Sequence, residues 1–149
     1  MPSRVRAAAA ALVLTAGCTF GCAPPHPFRM VPMRVEADLF SGRPNPSFTL
    51  DAEQAATLAT LLRDLPPGGE RREPPGLGYR GFVIRDTGDA LPGCTTVRAF
   101  HGTVSAECGA ESRDLADPAQ TVERWLLDVA LPKLSAEVVD AIRGELLRP

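Results

Sequence analysis

The chain has 149 residues, a formal net charge of −2 and only 5% aromatic residues. That length fits one small domain, and the absence of a basic stripe or aromatic platform argues against nucleic acid as a partner. Its 15 prolines and 13 glycines require prominent loops.

Arg4 and Arg6 precede an apolar run from Ala7 to Ala16, which is too short to span a bilayer and has the layout of an export signal. The run ends in Leu14-Thr15-Ala16-Gly17-Cys18. This resembles the lipobox of bacterial lipoproteins, departing from it at Thr15, where leucine is more usual. The resemblance implies a signal peptide over 1–17, acylation of Cys18 (a palmitate-type membrane anchor) and residence in the cell envelope. Thr19 carries no inner-membrane retention signal of the Asp type, so in a diderm host the implied destination is the outer membrane.

Pro24, Pro25, Pro27 and Pro32 make residues 18–32 an extended, semi-rigid tether. A single α+β domain is expected over 33–149. Within or beside the tether, His26, Met30 and Met33 have a spacing that suits Cu(I). The competing role for Met30 and Met33 is to cover the first strand. No second His/Met cluster supports copper, and no cofactor is expected. Cys22 is left without an assigned partner.

From Val31 to Phe40 the residues alternate. Met33, Val35, Ala37 and Leu39 fall on one face, and Arg34, Glu36 and Asp38 fall on a solvated one. Next comes Phe40-Ser41-Gly42-Arg43-Pro44-Asn45-Pro46-Ser47-Phe48, around which the domain is organised. Two prolines stiffen it and push Arg43 and Asn45 toward extended geometry. The favoured expectation is structural: Arg43 pairs with a carboxylate or with helix C-terminal carbonyls, Asn45 bonds nearby backbone, and Phe40 and Phe48 anchor both ends in the core. The rival is a preorganised recognition loop presenting Arg43 and Asn45.

Phe48 and Leu50 form a brief extended piece. Asp51 and Gln54 then have capping-box spacing for a helix from about 52 to 65, with Ala55, Leu58, Leu62 and Leu65 on its apolar face. Gly76-Leu77-Gly78-Tyr79-Arg80-Gly81 matches G-x-G-x-x-G by spacing, but prolines precede it and a strand follows, so it is a turn rather than a dinucleotide site. Strands are expected over 82–86, 95–100 and 103–107. A three-residue loop, Phe100-His101-Gly102, places Ala99 opposite Thr103 and brings Cys94 to Cys108 as a disulfide. Asp117-Pro118-Ala119-Gln120 starts a helix with Asp117 as N-cap, and Trp125 is a core anchor. Ser135 caps a final helix in which Val138, Ile142 and Leu146 recur.

The expected order is β-α-β-β-β-α-α: one small antiparallel sheet of about four strands, helices on one face, one disulfide. Phe40–Phe48, Leu77–Phe82 and Glu123–Leu127 resemble segments of a group of small secreted bacterial proteins with an FSGRPNP motif. That resemblance implies export and transfers no activity. No catalytic set is recognisable. The leading functional expectation is a non-enzymatic envelope lipoprotein, held to a membrane by its lipid, that binds or scaffolds another component. The alternatives are a secreted enzyme built around Arg43, Asp38 or His101, and, weaker, a copper-handling protein.

Overall fold

The computed structural model of the chain describes residues 32–85, 87 and 91–147. Its elements are β1 (Arg34–Ala37), β2 (Ser47–Thr49), α1 (Ala52–Asp64), β3 (Phe82–Arg85), β4 (Thr96–Phe100), β5 (Thr103–Cys108), β6 (Glu111–Ala116), α2 (Thr121–Ala130) and α3 (Ala136–Leu146). The strands form one antiparallel sheet in the order β2-β1-β3-β4-β5-β6. Cys18, Cys22, His26 and Met30 lie outside the described residues. No helix among the described residues is long and apolar enough to cross a membrane.

The α+β class, the single antiparallel sheet and the three helices agree with the sequence. The strand count does not: among the described residues there are six rather than about four. The extended piece at 47–49 pairs with β1 as an edge strand. β6 was missed because Glu111-Ser112-Arg113-Asp114 carries no apolar alternation. Only Leu115 of this strand is buried against the core, so periodicity has nothing to detect.

Register explains the core. Val35, Ile84, Val97 and Ala106 lie in one cross-strand row; Ala37, Phe82, Ala99, Val104 and Leu115 lie in the next. All are buried, and they share one cluster with Leu58 and Leu62 of α1, Val122 and Leu126 of α2, and Ile142 and Leu146 of α3. The opposite face carries the rows Glu36-Val83-Arg98-Ser105-Asp114 and Arg34-Arg85-Thr96-Glu107-Ser112. Pairing period 2 with one apolar face is what confines all three helices to one side. Met33, the possible copper ligand nearest the domain, is buried in this core.

α1 starts as the sequence predicts. The Asp51 side chain accepts from Gln54 N at 2.8 Å and Gln54 Oε1 accepts from Asp51 N at 3.2 Å, a reciprocal cap of about 1 kcal/mol. α2 starts later than predicted. A turn closed by Gln120 N on Asp117 O sends the chain into the helix at Thr121. Asp117 still caps it, from outside: its Oδ1 and Oδ2 accept from Thr121 N and Val122 N, both at 2.9 Å. α3 begins after Ser135, whose side chain makes no cap bond.

The β4–β5 hairpin also differs by one residue. Phe100, not Ala99, faces Thr103, so the turn is the two residues His101 and Gly102, with φ of 43° and 84°. Two positive φ values in a row suit a two-residue hairpin because their twist matches the strands. The Cys94–Cys108 disulfide forms regardless. Cys94 precedes β4 and sits in a turn held by its N–H on Leu91 O, so the ladder register does not dictate its place.

Candidate functional site

Four segments meet at one end of the sheet: the connector after β1, the 76–81 loop before β3, the β4–β5 turn and the start of α2. Antiparallel pairing brings them together, since Ala37 faces Phe82 and Phe82 faces Ala99. Asp38 N donates to Gly81 O at 3.0 Å and Arg80 N to Asp38 O at 2.7 Å, stitching the first two. Gly81 is obligatory here: at φ 99° a Cβ would lie 2.3 Å from Ala99 O.

Asp38 is the hub. Its Oδ1 accepts from Arg80 Nη2 at 2.5 Å and Asn45 Nδ2 at 3.0 Å, and its Oδ2 accepts from Arg98 Nη1 at 2.9 Å. Burial would raise its pKa, but the hydrogen bonds and charges of Arg80 and Arg98 outweigh that and hold it below the usual carboxylate range. The expectation of a solvated Asp38 is therefore overturned: its side chain is 12% exposed. Asn45 locks the connector from inside. Its Oδ1 accepts from Leu39 N at 3.0 Å and Phe40 N at 2.7 Å, and its Nδ2 also reaches Glu36 Oε1 at 3.0 Å. Arg80 adds a bond from Nη2 to Phe40 O at 3.0 Å and one from Nη1 to Ser41 Oγ at 3.0 Å.

Arg43 is where the structure departs most from expectation. It joins no ion pair among the described residues; it is exposed, with its guanidinium carbon 3.4 Å from the centre of the Phe40 ring. Phe40 is half-buried and outside the core cluster, serving as a platform for that cation, whereas Phe48 is in the core as expected. The structural role assigned to Arg43 belongs to Arg80 and Arg98, contributed by segments distant in sequence. Beside this loop stands Leu77, 79% exposed, on a turn that Ser41 Oγ and Arg80 Nη1 reach through Gly76 O.

Behind the 76–81 loop is a second polar cluster, which sequence reasoning did not single out. Glu123 on α2 is 1% exposed, and Tyr79 donates its hydroxyl to Glu123 Oε1 at 2.9 Å. Burial pushes the Glu123 carboxyl up to about 7; the Tyr79 bond and the approaching N–H groups of Gly102 and His101 restrain the rise, while Asp117 adds to it. Among the described residues Glu123 Oε2 has no hydrogen-bond partner, and neither has Gln120 Oε1, also buried. Burial, and then Glu123, raise the Tyr79 pKa. His101 is half-buried rather than free at a hairpin tip. It packs edge-on against Phe100 and Tyr79, and burial followed by Arg72 lowers its pKa.

The enzyme candidates Arg43, Asp38 and His101 are thus engaged in three different ways: one stacked on a ring, one saturated by cations, one packed among aromatics. Among the described residues no group of three or more His, Cys, Asp or Glu side chains is gathered as a metal ion would need. A hollow of about 260 Å³ between α2 and α3 is lined by Arg124, Leu127, Asp128, Arg143, Leu146 and Leu147, none of them a sequence candidate. Comparison of the chain with protein-family models, with curated proteins and with solved structures finds no match.

Proposed function

We propose that this is a lipid-anchored envelope protein whose folded domain is a binding module, with the Phe40–Pro44 loop as its contact surface and Arg43 as the contact residue. The carrying observation is the contrast within that loop. Its first residue is fixed, with Phe40 N donating to Asn45 Oδ1 and Phe40 O accepting from Arg80 Nη2, yet Arg43 remains exposed on the Phe40 ring with no carboxylate partner among the described residues. An arginine held by one face on an anchored ring loses less entropy on binding than a free one. The free edge of the guanidinium suits a carboxylate or phosphate oxyanion on the partner. Leu77 offers an apolar neighbour to that contact.

Anchoring through Cys18 rests on the export signal and the lipobox resemblance. The geometry is compatible with it: the chain enters β1 at one end of the sheet, and the contact loop leaves from the other. An anchored domain would then display the loop away from its tether.

The test uses the full chain, extracted from membranes and immobilised. Intact mass reports acylation at Cys18. Partners captured by the wild type are identified, purified and measured against Arg43→Ala. The expected result is loss of binding at Arg43→Ala with a melting temperature within about 4 °C of wild type, because an exposed cation–π contact contributes only about 0.5–1 kcal/mol. Undiminished binding of every partner by Arg43→Ala would refute the assignment.

A further inference from the structure

We propose that Glu123 is carried as a neutral carboxylic acid, its proton on Oε2 shared with Gln120 Oε1, and that this acid is a pH-operated latch on the loop that backs Arg43. The regulatory step rests on the binding surface proposed above; the latch itself does not.

Two buried oxygens lack donors, Glu123 Oε2 and Gln120 Oε1. They belong to the N-cap residue of α2, which is left-handed at φ 54°, and to the third residue of its first turn. A single proton on Oε2 supplies a donor to Gln120 and removes a buried negative charge at the same time. The opposite oxygen, Oε1, keeps the Tyr79 bond in either state.

Every charged or titratable neighbour is consistent with this assignment. Asp117, at the head of α2, disfavours a second negative charge beside it. Arg98, from β4, acts on the Tyr79 hydroxyl, but its guanidinium is bonded to Asp38 and to Arg80 O. His101, from the hairpin turn, feels Arg72 and Glu145, and burial followed by Arg72 lowers its pKa, which favours its neutral form. Among the described residues Oε2 has no hydrogen-bond partner to stabilise the ionised form.

Tyr79 lies in the same short loop as Leu77 and Arg80. It also packs on Phe82 and Phe100, with ring centroids at 6.0 and 6.2 Å. Ionising Glu123 places a buried charge under this loop that the Tyr79 hydroxyl and the Gly102 and His101 N–H groups offset only in part. The relief available is movement of the Tyr79 segment or entry of water, and either loosens the Arg80 bonds that hold Phe40 O and Ser41. Raising pH from 6 to 8 would take the protonated fraction from about 90% to about 10%.

Tyr79 is the only tyrosine, so its ring resonances report on the latch directly. In the full chain, the Glu123 side-chain carbon signal is expected to titrate near neutrality, and the Tyr79 ring signals to shift with the same midpoint. Glu123→Gln is expected to abolish the Tyr79 transition. A Glu123 midpoint below pH 5, or a Tyr79 transition unchanged in Glu123→Gln, overturns the latch. The wild-type titration alone decides this if the variant does not fold. For the regulatory step, an Arg43-dependent partner should bind several-fold more weakly at pH 8 than at pH 6, and equally at both in Glu123→Gln. Equal binding in wild type despite an intact titration overturns the regulation. Failure of the contact-surface reading would be recognised separately, as binding indifferent to Arg43→Ala.

Discussion

Asn45→Ala tests whether the connector is locked as described. The substitution strands the N–H groups of Leu39 and Phe40, both partly buried, and removes donors to Glu36 and Asp38. At about 1 kcal/mol for each backbone bond, and about 1 kcal/mol together for the two partly solvated carboxylate bonds, the loss is about 3 kcal/mol. For a domain of this size that is a fall of about 12 °C in melting temperature, read by circular dichroism at pH 7. Asn45→Asp sharpens the test. It keeps the acceptor for the two N–H groups and nearly the same shape, but it turns the Nδ2 donors into an oxygen facing two carboxylates. It should cost at least as much as alanine at pH 7 and recover as pH falls through the carboxylate range. An Asn45→Asp protein that melts within about 3 °C of wild type at pH 7 would refute the reasoning, because shape and not donor chemistry would then be what the site needs.

Other outcomes follow from single features. Gly81→Ala forces a Cβ into the Ala99 carbonyl and a strained φ, so it should destabilise by more than about 2 kcal/mol or prevent folding, seen as a lost or early melting transition. Removing the Cys94–Cys108 bond as a double serine variant should cost about 3 kcal/mol, the value for a closed loop of about fifteen residues, measured by urea unfolding. Glu123 has a folded pKa raised from 4.5 to about 7, so its contribution is full below the unfolded value and is lost as pH rises through the folded one. Stability should fall by about 2–3 kcal/mol between pH 5 and pH 8 from this group, and Glu123→Gln should flatten that slope in urea melts taken across the range.

Local chemistry was legible in the chain. The Asp51–Gln54 cap, the apolar faces of the helices and the burial of Met33, Val35 and Ala37 all follow from residue type and spacing. What could not be read depends on partners distant in sequence. Asp38 looks like one of several solvated acidic residues until folding brings Arg80 and Arg98 to it, 42 and 60 residues away. Once those two arginines neutralise the carboxylate, Arg43 has no structural partner to serve, which reverses its expected role. Glu123 reads as one more charge on an amphipathic helix; only the packing of Tyr79 and the hairpin turn over it shows that it is buried. The only hint in the sequence was its place between Val122 and Leu126, both core residues. β6 escaped because an edge strand with polar faces has no periodicity, and the hairpin register because one residue of turn length cannot be decided from a single glycine.

The two edges of the sheet bear on how this domain behaves when many copies are close together. An open edge presents unpaired N–H and C=O groups, which invite another chain to add itself as a strand. Here both edges are blunted. On one side Pro66 O accepts from Ala116 N and Gly68 N donates to Asp114 O, occupying the outer half of β6, while Glu111 and Arg113 put charge on the remainder. On the other side β2 is only three residues long, is preceded by Pro44 and Pro46, and has Thr49 O taken by Lys133 Nζ at 2.7 Å. The only lysine in the chain thus caps one of the few carbonyls from which a fibrillar contact could begin. Both edges of the sheet are therefore poor templates for strand addition by another copy of the chain.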